Sequence, residues 1–208
     1  MEDIKNRILQ AANQLYLKYG IRSVSQDDIA RHLGISKKTI YQFYSDKDAL
    51  VKEVSRLHLR CWEERLQAIG VSASDAIEEL LGYSQVLREQ FSEMNPTVMF
   101  DLFKFHRGTW EDLAAFKSNV VKEHLRRTLR RGMADGFFRD NLDVEILAAL
   151  RVEEVEMGFD DGIFPHARFT LEQVQLQLFD HFIHGLLTDK GRARYEAVRL
   201  HILNRQPS

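Results

Sequence analysis

Apolar residues recur along this chain at steps of three and four. Ile4, Ile8, Ala11, Ala12, Leu15 and Tyr19 fall on one stripe, which predicts an amphipathic first helix. Gly20 follows it, where a left-handed residue ends a helix at little cost. Ser25-Gln26-Asp27-Asp28 fits a capping box, with Ser25 as N-cap and Asp28 three positions on. It opens a short helix that Gly34 stops. Ser36 caps a third helix, over 37 to about 43. Ser45-Asp46-Lys47-Asp48 reads as a second box, opening a long helix with Leu50, Val51, Val54, Leu57, Cys61, Trp62 and Leu66 on its apolar side. Helical periodicity continues over 73–92, 96–105, 110–134, 142–159, 171–188 and 191–204. Asn95-Pro96, Thr109-Trp110-Glu111-Asp112 and Thr170-Leu171-Glu172-Gln173 mark further starts. Gly136 marks a stop, and 160–165 reads as a loop. The pattern predicts an all-α chain: a three-helix head over 1–48 and a larger helical body over 49–208, joined inside the fourth helix near residue 50 with no flexible linker.

Composition narrows this picture. With only 3 Pro and 11 Gly in 208 residues, the chain lacks the turn residues of an all-β sandwich or barrel. The single cysteine, Cys61, excludes an internal disulfide and the cysteine-rich zinc motifs, and fits a reducing compartment. No apolar run of about 18 residues occurs, so no membrane span is expected. The mixed-charge start, Met1 to Arg7, lacks the apolar core of a signal peptide. A cytoplasmic location is expected. The net charge of −2 divides unevenly. Up to residue 60 there are eleven Lys/Arg against seven Asp/Glu, a net of +4; the remainder has eighteen against twenty-four, a net of −6. A basic head on an acidic body suits a polyanionic partner for the head alone.

The stretch 25–50, SQDDIARHLGISKKTIYQFYSDKDAL, carries the chemistry. Ile29, Ala30 and Leu33 face inward from one short helix, Gly34 permits a sharp turn, and Ile35 and Ile40 pack back. The small side chain at Ala30 lets the next helix cross closely. That is helix-turn-helix construction. Burying Ile40 leaves Lys37, Lys38, Thr39, Tyr41, Gln42 and Tyr44 near the other side: donors, cations and aromatics of the kind that read base edges and grip phosphates. Core packing is the competing role for Tyr41 and Tyr44.

In these residues the chain resembles the TetR family of bacterial transcriptional regulators. The family signature is met in register by Ser25, Ile29, Ala30, Gly34, Ile35, Ser36, Thr39, Ile40, Tyr41, Lys47 and Leu50. The chain departs in Ser25 for Thr, Lys38 for Gly and Tyr44 for Phe. The first and third keep the chemistry; Lys38 adds a cation, so half-site preference does not carry over. The resemblance implies a homodimeric repressor with a DNA-binding head and a body that dimerises and binds a small ligand. Position by position it implies groove or base contacts from Lys37, Lys38 and Tyr41, with Ser36 and Gln42 on the same surface. Phosphate contacts fall to Ser25, Thr39, Tyr44 and Lys47. Its partners would be a palindromic operator and a second copy of the chain, with no cofactor and no membrane.

In the body, Cys61, Trp62, Phe91, Met99, Phe103, Trp110 and Phe116 are candidates to line an apolar cavity for a mostly apolar effector, with plain core as the alternative. Segments 142–159 and 171–188 correspond in order to the helices the family uses to dimerise, and a four-helix interface would follow. His181 and His184 share a face without a carboxylate set for metal. Catalysis is not expected. No Glu lies three residues before any histidine, as a di-iron site would need, and there is no His-Glu-x-x-His, Gly-x-Ser-x-Gly or glycine-rich phosphate loop. The rival reading is a helical small-molecule-binding or interaction protein that does not bind DNA.

Overall fold

The computed structural model describes residues 2–92 and 94–203. Its described residues form helices throughout: α1 Glu2–Tyr19, α2 Gln26–Leu33, α3 Lys37–Tyr41, α4 Lys47–Ser72, α5 Ala76–Ser92, α6 Thr97–Phe105, α7 Arg107–Phe116, α8 Lys122–Ala134, α9 Val144–Met157, α10 Leu171–Leu186 and α11 Asp189–Leu203. The expected all-α class is what the chain adopts. No helix among the described residues is long and apolar enough to cross a membrane. The chain divides into two compact units: one of residues up to Glu63 with Gln90–Phe116, the other of Glu64–Glu89 with Lys117 onward.

The first unit holds α1, α2, α3, the start of α4, and α6 and α7. Its core gathers Ile8, Ala12, Tyr16, Ile21, Ile29, Ala30, Ile40, Leu50 and Val51, and Val98 and Leu102 of α6 enter the same cluster. Local chemistry sets its corners. Ser25 and Asp28 form the expected reciprocal capping box, and Gly34 takes the left-handed conformation at φ 66° that ends α2. Gly20, at φ 84°, also admits a close neighbour: a Cβ there would stand 2.5 Å from Thr97 Oγ1. Asn95 ties the chain before α6 to the end of α1, its amide donating to Leu17 O at 2.7 Å and its Nδ2 to Lys18 O at 3.3 Å.

Two starts differ from expectation. Asp46, not Ser45, caps α4: its Oδ1 accepts the Ala49 amide at 2.7 Å, while Ser45 Oγ donates to Asp46. The side chain nearer the helix entrance reaches the exposed amides first. Thr109 does not open a helix either. The chain breaks at His106 (φ −129°) and α7 restarts at Arg107, with His106 O accepting from the Thr109 and Trp110 amides, so Thr109 lies buried in the first turn.

The second unit holds the end of α4, most of α5, and α8 to α11. The single helix expected over 110–134 is divided by a π turn at Lys117–Val121, which leads directly into α8. Thr170 and Gln173 make the expected box on α10, and Asp143 caps α9 by accepting from the Glu145 and Ile146 amides. This unit buries charge. Glu79, 1% exposed, accepts from Tyr83 Oη at 2.7 Å and from Arg127 at 3.0 Å. Arg151 and Glu154 of α9 are both buried, 3.4 Å apart, and the Arg151 guanidinium lies over the Phe179 and Phe182 rings of α10.

Candidate nucleic-acid interface

The helix-turn-helix is built from α2 and α3. Ser25 Oγ donates to Asp28 Oδ2 at 2.6 Å and accepts the Asp28 amide at 3.2 Å. Those hydrogen bonds from the Ser25 side chain and amide hold the Asp28 carboxyl below the usual carboxylate range. Across the turn, Ile35 N donates to Ala30 O at 3.0 Å, closing the end of α2 around the left-handed Gly34. Ser36 then caps α3, accepting the Thr39 amide at 3.1 Å, and its hydroxyl lies 2.9 Å from Thr39 Oγ1. Two caps therefore set the entry direction of both helices before any long-range contact is counted.

The surface expected of α3 forms in large part. Ile40 is fully buried, and Lys37, Lys38, Tyr41 and Gln42 are exposed on the far side. Tyr41 is 47% exposed, so the core alternative does not hold for its ring. Tyr44 is a correction. At 3% exposure it belongs to the core of the head, and its hydroxyl has no hydrogen-bond partner among the described residues. Its ring follows the turn after α3 and joins the buried cluster to which Ile40 and Leu50 belong. Burial of the phenol pushes its pKa up, so it stays protonated.

The cations of the head differ in their surroundings. Lys38 has no partner among the described residues. Lys37 Nζ pairs with Asp27 Oδ2 at 2.7 Å. Lys47, in the first turn of α4, is half-buried: its Nζ lies 3.5 Å from Arg22 O and 6.0 Å from the centre of the Tyr16 ring. Burial pulls the Lys47 ammonium below the usual lysine range, against the pull of Asp101, Asp48 and Asp28. Asp101, on α6 and 4% exposed, accepts the Arg22 amide at 2.8 Å. A buried carboxylate on α6 thus braces the α1–α2 turn beside Lys47. Sequence reasoning missed Asp101 and Asp27. Asp101 stands 79 residues from Arg22 along the chain and carries no local signal. Asp27 reads as an ordinary first-turn acid until the turn brings Lys37 to it.

The seven candidate ligand residues are distributed within the first unit. Met99 and Trp110 pack against the core of the head. Trp62 and Phe116 form a tilted ring pair at 5.5 Å, and Phe103 meets Trp110 edge-on at 5.3 Å. Phe91 is buried, Cys61 is exposed and Phe103 is 63% exposed. An open groove of about 400 Å³ lies elsewhere, along the second half of α9, lined by Leu150, Glu153, Glu154, Glu156, Met157 and Asp160. Its lining is acidic, unlike the apolar cavity expected. Among the described residues no three His, Cys, Asp or Glu are grouped to hold a metal ion.

A capped helix pair with a tight glycine turn and a cationic, hydroxyl-bearing outer edge is a helix-turn-helix of the kind that binds DNA. Comparison with known proteins agrees. Residues 8–54 match the family model for bacterial regulatory proteins of the tetR family. The HTH-type transcriptional repressor KstR2 of Mycolicibacterium smegmatis is 26% identical over 148 residues, 69% of this chain and 71% of the relative. Among solved structures, a TetR-family regulator from Agrobacterium tumefaciens shares the fold with a TM-score of 0.73 at 18% identity, covering 90% of this chain and 99% of that one. The ketosteroid transcriptional regulator KstR2 of Mycobacterium tuberculosis does so with a TM-score of 0.60 at 20% identity, covering 89% and 95%. The resemblance read from residues 25–50 therefore holds: this is a TetR-like transcriptional regulator.

Proposed function

We propose that the chain is a homodimeric repressor that binds a palindromic operator and is released by a small, mostly apolar ligand, and that it works in the cytoplasm without catalytic activity. The observation that carries this reading is the outer edge of α3, where Lys37, Lys38, Thr39, Tyr41 and Gln42 stand on a helix whose opposite side is locked by Ile40. Ser25 at the start of α2 and Lys47 at the start of α4 flank that edge as phosphate contacts. Two such heads about 34–36 Å apart enter successive major grooves. For the second copy, α9 and α10 offer Ile146, Leu150 and Leu176, apolar side chains exposed on the single chain. Val174, Phe182 and Leu186 of α10 are buried within the subunit and support that face from behind.

Ligand release requires a ligand that prefers one spacing of the heads to another, and only that difference in affinity shifts the balance. The Trp62–Phe116 pair and the buried Phe91 favour an apolar effector. In this reading 1–48 binds DNA and 49–208 binds the ligand and dimerises, and α6, within the second of these, shares the core of the head through Val98 and Leu102. Selection of bound sites from random duplexes tests the whole reading. A two-fold symmetric consensus is expected, and the absence of any enriched sequence would refute it.

A further inference from the structure

The Asp27–Lys37 pair joins the two helices of the helix-turn-helix. Asp27 and Asp28 both lie in the first turn of α2, yet only Asp28 is used by the cap. Asp28 is held by Ser25 and by Arg31 at 3.4 Å, which leaves the Asp27 carboxylate to Lys37, the first residue of α3. Both partners stay about half exposed, 53% for Asp27 and 46% for Lys37, so the pair sits at the surface that would meet DNA. Exposed pairs of this kind add less than about 1 kcal/mol to folding. Their effect is on what the cation can reach.

We propose that Asp27 is a specificity-determining positioning residue: it fixes the direction of the Lys37 ammonium at the reading edge of α3 and withholds that cation from indiscriminate phosphate contact. This rests on the DNA-binding reading above. The ammonium has three hydrogens. One points to Asp27 Oδ2 at 2.7 Å, and the other two remain for acceptors presented along the groove edge, such as guanine O6 and N7. A phosphate that drew Lys37 away would leave the Asp27 anion alone in the strongly negative field of the duplex. Non-specific binding, which consists of phosphate contacts, therefore loses most from Asp27. Lys38, its neighbour, has no such restraint among the described residues. The Asp27 hydrogen bond also holds the Lys37 ammonium above the usual lysine range, so Lys37 stays charged whether or not DNA is present.

The test uses the full chain, a duplex carrying a selected site and a scrambled duplex of the same length and composition, each titrated across a salt series. For Asp27→Asn, scrambled-duplex affinity should rise about threefold to tenfold, and the slope of log affinity against log salt should steepen by about one. The ratio of specific to scrambled binding should fall accordingly. In a Lys37→Gln background, Asp27→Asn should leave the slope unmoved, because no cation is there to release. A slope unchanged by Asp27→Asn in the wild-type background, or a slope change that persists in the Lys37→Gln background, overturns the proposal while DNA binding stands. A wild-type chain without salt-dependent duplex binding removes the reading beneath it and this proposal with it.

Discussion

The helix pair α2–α3 and the helix pair α9–α10 solve the same packing problem with different materials. In α2–α3 the buried set is Gln26, Ile29, Ala30 and Ile40, and the charged side chains stand outside. In α9 the buried set includes Arg151 and Glu154, with the Arg151 guanidinium over two phenylalanine rings of α10. An apolar core between short helices is tolerant and leaves the surface to chemistry. A buried ion pair is demanding: its two charges stand three residues apart on one helix and leave water together, so the facing helix must supply a surface that suits them, here the Phe179 and Phe182 rings over Arg151. The first arrangement suits a reading head, whose outer side chains must vary with the site they read. The second suits a pair of helices whose mutual placement must not vary. The contrast can be broken at several places.

Removing one partner of the buried pair should have the largest effect. Arg151→Met strands the Glu154 carboxylate and should destabilise the chain by about 3–5 kcal/mol in denaturant unfolding. Arg151→Met with Glu154→Leu should recover most of that loss; a double variant as unstable as the single one would show that the pair does not act as a unit. On the head, Lys38→Ala should lower affinity for a selected duplex by about 1–3 kcal/mol and relax the preference at one base position in each half-site. Lys47→Ala should instead weaken all sequences alike and reduce the salt slope by about one. A gel-shift series on selected and scrambled duplexes separates the two.

Smaller effects follow from the caps and from a buried imidazole. Ser36→Ala removes the side-chain cap of a five-residue helix and should cost about 1 kcal/mol, read by thermal unfolding. Ser36→Asp should retain most of it. His58 of α4 is held against Asn13, and burial keeps its pKa below the ordinary 6.5. The folded state thus takes up a proton less readily than the unfolded chain. Stability should fall as pH drops below about 6.5, and His58→Gln should flatten that part of the profile. An unchanged profile would show that His58 titrates alike in both states.

Local signals carried far in this chain. The capping box at Ser25, the left-handed Gly20 and Gly34, the Ser36 cap and the apolar steps of α1 depend on neighbours within one helical turn. They therefore predicted the head with its reading edge, Tyr44 excepted. Tyr44 failed because two roles compete for a ring just past a short helix, and only the assembled core of the head decides between them. Starts at Ser45 and Thr109 failed by one and three residues because several polar groups bid for the same open amides. The π turn at Lys117–Val121 and the scatter of the aromatic candidates had no local signal at all.

The order of side chains in the first 50 residues, by itself, determined a helix-turn-helix with a basic outer edge, because helix periodicity, caps and turn glycines act over a few residues. Three-dimensional packing alone decided that Asp101 braces the Arg22 turn, that Asp27 takes Lys37, that Tyr44 is core and that Arg151 is buried with Glu154. Each of these depends on which distant or cross-turn group desolvates or neutralises a charge or a phenol, and that is settled only when the helices meet.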